Sequence, residues 1–201
     1  MARNCPIILC GFTSSGKTTI GKLLSERLGL PFYDTDQMLI EHYQMTIPEI
    51  FAKGGETLFR DYEHEIARRV CTLGPSVVST GGGMLTFDRN GEILAKNGMI
   101  FYIDRPFEDC YANLAQHPER PLFKNHTKKE VQDMYLIRRD LYRKYAKFDI
   151  KNTGTAGEAA EKICDLLKEG FAVTIIPDLI PYSFSSASAT RAENSCPGIL
   201  G

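Results

Sequence analysis

The stretch Gly11-Phe-Thr-Ser-Ser-Gly-Lys-Thr18 constrains this chain more than any other. It fits the pattern GxxxxGK[ST], in which a glycine-rich loop between a strand and a helix presents backbone N–H groups to phosphate. The flanks supply that context. Pro6-Ile-Ile-Leu-Cys10 is a short apolar run of the kind that forms a buried strand. Thr19 to Leu28 carries Ile20, Leu23, Leu24 and Leu28 at helical spacing. Gly11 and Gly16 allow backbone angles and close approaches that a Cβ would block. Lys17 is expected to reach the β- and γ-phosphates, and the Thr18 hydroxyl to ligate Mg²⁺. Thr13, Ser14, Ser15 and Thr19 complete the expected cradle. The loop reads as a nucleotide site.

The pattern around the loop is that of one α/β domain, and 201 residues with 43% hydrophobic content can bury the core it needs. Apolar strands are expected at Pro31–Tyr33, Ser76–Ser79, Met99–Ile103 and Phe148–Ile150. Between them, helical spacing predicts Met38–Tyr43, Ile47–Ala52, Glu56–Cys71, Asp88–Lys96, Phe107–Ala115, Lys128–Lys147 and Ala159–Leu167. Gly54-Gly55 is expected to break two of these helices apart. On the helix from Lys128, Val131, Met134 or Tyr135, Ile137 or Arg138, Leu141 and Tyr145 are expected to share faces. Strands alternating with helices imply a parallel sheet with helices on both sides. The segment 117–127 has no periodicity and reads as a loop. Beyond about Gly170 the composition shifts; Ala172 onward could form an edge strand or a packed extension, and residues 183–201 are expected to be disordered.

Net charge is −1, so nothing advertises nucleic acid or an anionic membrane surface as a partner. No apolar run approaches the length of a membrane span, and the first strand begins too early to leave room for a signal peptide. The six cysteines have no metal-site spacing. Cys10, Cys71, Cys110 and Cys164 lie in apolar-patterned elements and are expected to be buried free thiols, implying a reducing cytoplasm.

Four further clusters lie at strand ends or in the aperiodic loop, where open α/β sheets place their sites. In Asp34-Thr-Asp36, alternation along an extended chain would point both carboxylates to one side. One would serve Mg²⁺ and the other a hydroxyl nucleophile; the plainer alternative is a solvated turn in which Asp36 caps a helix. Arg60 and Glu63 share a helix face, so the carboxylate can hold the guanidinium toward an acidic substrate. Gly81-Gly-Gly83 would let backbone N–H groups meet a ligand, with Ser79 or Thr80 orienting metal-bound water. Arg120, in the loop, could swing onto a transferring phosphoryl group, and closing that loop would exclude water.

Together these residues resemble the shikimate kinases. GFTSSGKT, FYDTD, GETLFRDYE, VVSTGGG, ERPL and the Arg138 to Ala146 run RxxLYxxxA occur in the family's order, over about residues 1–168. The resemblance implies a three-layer P-loop kinase fold whose five parallel strands run 2-3-1-4-5, with a lid at about 116–127 and an extension from residue 169. It implies phosphorylation of the 3-hydroxyl of shikimate by ATP, in the synthesis of chorismate and aromatic amino acids. Carried over by position, Asp36 contacts the hydroxyl and serves as base, and Arg60 and Arg138 clamp the carboxylate. Gly82, between Gly81 and Gly83, offers backbone contact. Lys17 and Arg120 neutralise the phosphoryl group, and Thr18 with Asp34 serves Mg²⁺. A monomer is expected. The alternatives are a kinase for another polyol acid such as gluconate, or a nucleotide-binding module without transfer. Two departures concern the site. Asn113 stands where the family often has an adenine-stacking arginine. Lid-to-helix spacing is one residue short, so anchoring on Leu141-Tyr142 selects Arg138 as clamp and anchoring on Arg120 selects Arg139; Arg138 is preferred.

Overall fold

The computed structural model describes residues 5–116 and 125–172. Strand β1 (Ile7–Cys10) is buried along its whole length because it has a strand on either side and helices on both faces. It pairs in parallel with β3 (Val77–Ser79) and β4 (Met99–Asp104), which in turn pair with β2 (Phe32–Asp34) and β5 (Phe148–Lys151). The resulting order, β2-β3-β1-β4-β5, is the expected one.

Alternation along each strand divides the core in two. Ile7, Leu9, Val77, Phe101 and Ile103 face one side. They pack there against Ile20 and Leu24 of α1 (Lys17–Leu28) and Ala160 and Ile163 of α7 (Ala156–Ala172). Ile8, Cys10, Val78, Ile100 and Tyr102 face the other. Covering that side are α3 (Ile47–Val70), α4 (Asp88–Asn97), α5 (Phe107–Ala115) and α6 (Lys128–Tyr145). Strands buried on both faces are therefore continuous apolar runs, the signal that made them legible.

Several boundaries differ from expectation. Helix α2 spans Thr35–Tyr43 and begins three residues early, because Asp34 rather than Asp36 is its N-cap. Helix α3 is broken at Gly54 and at Gly55, whose φ is 63°, which agrees with the expected interruption. On α6 Val131 is buried; of the paired alternatives, Tyr135 is buried and Met134 half-buried, and Ile137 is 64% exposed whereas Arg138 is half-buried. Helix α7 passes the expected boundary at 168/169 and ends at Ala172, so Ala172 is helical rather than the start of an edge strand. The extension beyond it lies outside the described residues. Cys10 and Cys110 are buried free thiols as expected, but Cys71 and Cys164 are only half-buried, and Cys196 is outside the described residues. Among the described residues no helix is long and apolar enough to cross a membrane.

Candidate active site

The sheet changes winding direction at β1, since β3 lies on one side of it and β4 on the other. The crevice beyond the C-terminal end of such a strand is where open α/β sheets bind ligands, and residues 11–16 fill it. Gly16 is the N-cap of α1 with φ 95°, a left-handed conformation that a side chain resists, and it supplies no side-chain cap. The first helical hydrogen bond runs from the Ile20 N–H to the Gly16 carbonyl at 2.9 Å. The N–H groups of Lys17, Thr18 and Thr19 precede it and have no helical acceptor, so an anion completes them.

Lys17 is buried and its Nζ donates to the carbonyls of Gly11 and Phe12 at 2.9 and 2.8 Å. Burial lowers its pKa, against the pull of Cys10, Asp36 and Asp34. Thr13 approaches Gly82, Ser14 takes a φ of 63°, and the buried Ser15 hydroxyl has no hydrogen-bond partner among the described residues. A cavity of about 430 Å³ runs from Ser14 and Gly16–Thr19 to Arg105, Asn113 and Gln116. Asn113 thus lines the same cavity as the loop.

Thr18 and Asp34 meet as expected. The Thr18 hydroxyl donates to Asp34 Oδ2 at 3.1 Å and lies 3.4 Å from the Ser79 hydroxyl. Ser79 is therefore the β3 hydroxyl at this point, because Thr80 donates to the Leu9 carbonyl at 3.2 Å. Three hard oxygens at one place suit Mg²⁺, which keeps part of its water shell and takes oxygen ligands.

The two carboxylates of 34–36 are not related by strand alternation, since Asp36 is in the first turn of α2. Asp34 Oδ1 accepts from the Asp36 N–H at 3.1 Å, which turns the chain so that Asp36 reaches the β3 end. Burial raises the Asp36 pKa above its ordinary value; Asp34 adds to the rise, and Lys17 and Arg60 oppose it. Asp36 therefore sits within the field of both cations.

Gly81–Gly83 has a different reason from the one expected. A Cβ on Gly81 would strike the Asp36 carboxylate, and one on Gly83 would come within 2.5 Å of Arg60 Nη1. The glycines make room for the site's side chains. The Gly81 N–H is itself committed to Thr35 Oγ1 at 2.8 Å. The turn is held from outside by Asn90, whose Nδ2 donates to the Met84 carbonyl at 3.0 Å, and by Tyr142, whose hydroxyl donates to the Gly82 carbonyl at 2.5 Å. Neither contact is legible in the sequence, where Tyr142 serves only to set the register of Arg138.

Arg60 bonds to the buried Glu63 at 2.5 Å through Nη1, and through Nε and Nη2 to the exposed Glu56. Its guanidinium lies 5.0 Å from the centre of the Phe87 ring. Burial raises the Glu63 pKa, opposed by Arg60 and by Arg138. Both arginines thus act on one buried carboxylate. Arg138 lies over the Phe12 ring at 5.9 Å, at the mouth of the loop, whereas Arg139 pairs with Asp140 at 3.2 Å. Arg120 and most of the expected lid lie outside the described residues.

The fold and site define a P-loop phosphotransferase. Residues 13–168 match the family model for shikimate kinase. A shikimate kinase of Caldicellulosiruptor bescii is 39% identical over 161 residues, which are 80% of this chain and 94% of that protein. The solved shikimate kinase from Acinetobacter baumannii, in complex with shikimate, is 33% identical with a TM-score of 0.79, covering 84% of this chain and 96% of that one. A gluconokinase from Sinorhizobium meliloti shares the fold at 13% identity and a TM-score of 0.55, covering 87% of this chain and 100% of that one. This chain belongs to the shikimate kinase family.

Proposed function

We propose that the chain transfers the γ-phosphoryl group of ATP to the 3-hydroxyl of shikimate, giving shikimate 3-phosphate for chorismate and aromatic amino acid synthesis. The observation that carries this reading is the meeting of Asp36 and Arg60 at the Gly81–Gly83 turn, beside the uncapped start of α1. A hydroxy acid fits that pairing, because its hydroxyl and its carboxylate need an acceptor and a cation respectively.

Attack is in line, by the 3-hydroxyl on the γ-phosphorus. Asp36 accepts the hydroxyl hydrogen and orients or deprotonates the nucleophile. Arg60 and Arg138 take the carboxylate, which fixes the ring so that the hydroxyl meets the phosphate. For Arg60 this means that the exposed Glu56 gives way while the buried Glu63 stays. Lys17 exchanges two neutral carbonyls for charged phosphate oxygens, a stronger acceptor set. The cradle of Gly11, Thr13, Ser14, Ser15, Gly16, Thr18 and Thr19 holds the polyphosphate, and the charge of the transferring group is assigned to Lys17 and Arg120. Thr18 and Asp34 would hold Mg²⁺, with Ser79 on its water shell; bound there, the ion neutralises charge on the β- and γ-phosphate oxygens. All the assigned residues come from one chain, so a monomer suffices, and the free thiols suit the cytoplasm.

The test is a coupled assay of ADP release with Mg-ATP and a panel of acids. Saturable release with shikimate is expected. Saturation with gluconate and not shikimate would reverse the assignment, and ATP binding without transfer to any acid would reduce the chain to a nucleotide-binding module.

A further inference from the structure

Arg105 follows β4 directly and was not singled out by any sequence pattern. Its backbone carbonyl is fixed by the Tyr135 hydroxyl at 2.9 Å. Its side chain lines the groove that begins at Ser14 and the start of α1. Among the described residues, Lys17 and Arg105 are the two cations lining that groove.

The guanidinium is poorly matched where it sits. Its Nε is buried with no hydrogen-bond partner among the described residues, and Asp109 Oδ2 is 3.9 Å from it. The adjacent Asp104 offers nothing, being engaged by Arg143 at 3.2 Å and Lys151 at 3.6 Å. A buried donor without an acceptor is unfavourable, so an anion arriving in the groove gains by supplying one. Five of the groove's eight lining residues are Ser14, Gly16, Lys17, Thr18 and Thr19, which places phosphate oxygens there.

We infer that Arg105 is a nucleotide-binding residue, donating from its guanidinium to the polyphosphate of the bound nucleotide. The inference deepens the nucleotide half of the proposed function and rests on it. The other groove side chains at that end, Asn113 and Gln116, are neutral carboxamides, so Arg105 carries the fixed positive charge there.

The experiment compares the parent with Arg105→Met, which keeps the apolar stem, and Arg105→Lys, which keeps the charge without the fork. Dissociation constants for ADP and for inorganic tripolyphosphate are measured by calorimetry, alongside KM for each substrate. Loss of a charge-assisted contact predicts about tenfold weaker binding of both anions by Arg105→Met, with KM for ATP rising and KM for shikimate within about twofold. Arg105→Lys is expected to recover part of the loss. Unchanged affinity for both anions in a cooperatively melting Arg105→Met overturns the inference, as does a lower melting temperature without any change in affinity. Weaker ADP binding with unchanged tripolyphosphate binding also overturns it, because the contact would then be to the nucleoside. Should Arg105→Met not fold, the same comparisons are read from Arg105→Lys and Arg105→Gln. A parent that binds neither anion refutes the nucleotide reading itself, a result separable from indifference to Arg105.

Discussion

Asp36 shows how burial and charge compete at one residue. Its folded pKa lies above the ordinary 3.8, so between those two values the native state holds the proton more tightly than the unfolded chain. Stability therefore falls as pH rises through that window, and ionised Asp36 costs stability at neutral pH. Asp36→Asn is expected to melt higher than the parent at pH 7.5, with the gap narrowing toward pH 4, while turnover falls by about 10²–10⁴. Melting curves and initial rates on one preparation check both halves. Arg60 obeys a different logic because Glu63 beneath it is buried. Arg60→Ala should raise KM for shikimate and also strand that carboxylate, at a cost on the order of 3 kcal/mol. Adding Glu63→Gln should restore much of the stability and none of the affinity. Equal recovery of both would mean that Arg60 only balances Glu63.

At the scale of elements, the helix starts differ in how they are closed. Helices α3 and α6 are closed by Thr–Glu capping boxes, Thr46 with Glu49 and Thr127 with Glu130, and α7 by the equivalent pair Thr155 and Glu158. Helix α1, like α4 and α5, has no side-chain cap, and its open N–H groups are the proposed phosphate site. The β3 turn is equally specialised. Gly83→Ala is expected to displace the Arg60 guanidinium and raise KM for shikimate several-fold, with KM for ATP nearly unchanged. An unaltered KM for shikimate would show that the close approach has no part in binding. Helix α6 presents Arg138 and Tyr142 one turn apart, so the arginine over Phe12 and the hydroxyl holding Gly82 share a face.

For the whole molecule, the family match ends at residue 168 and α7 packs its Ala160 and Ile163 with Ile20 and Leu24 of α1. A chain ending at Ala172 is therefore expected to keep kcat and both KM values within about twofold, since every assigned residue precedes that point. A large loss would give the extension a share in the site. Much of this architecture was legible because buried parallel strands are unbroken apolar runs, each followed by a helix of clear period. The loop Gly11–Thr18 was legible because its glycines, lysine and threonine sit at fixed spacing between a strand and a helix, a local pattern. Contacts between distant segments left no such mark, and neither did the turn taken where β2 meets α2. Asp34 looked like a partner of Asp36 on a strand and proved to be the cap that turns Asp36 inward. Gly81 and Gly83 suggested backbone offered to a ligand, yet the space they leave is filled by Asp36 and Arg60. Arg105 has no local pattern at all, since only the neighbouring β1 and β4 bring it to the loop. The sequence by itself determined the order of elements and the phosphate-binding loop, both of which depend on residues adjacent in the chain. Tertiary structure decided which carboxylate is buried, which arginine faces the loop and why the glycines are needed, because burial and close approach exist only once distant segments pack.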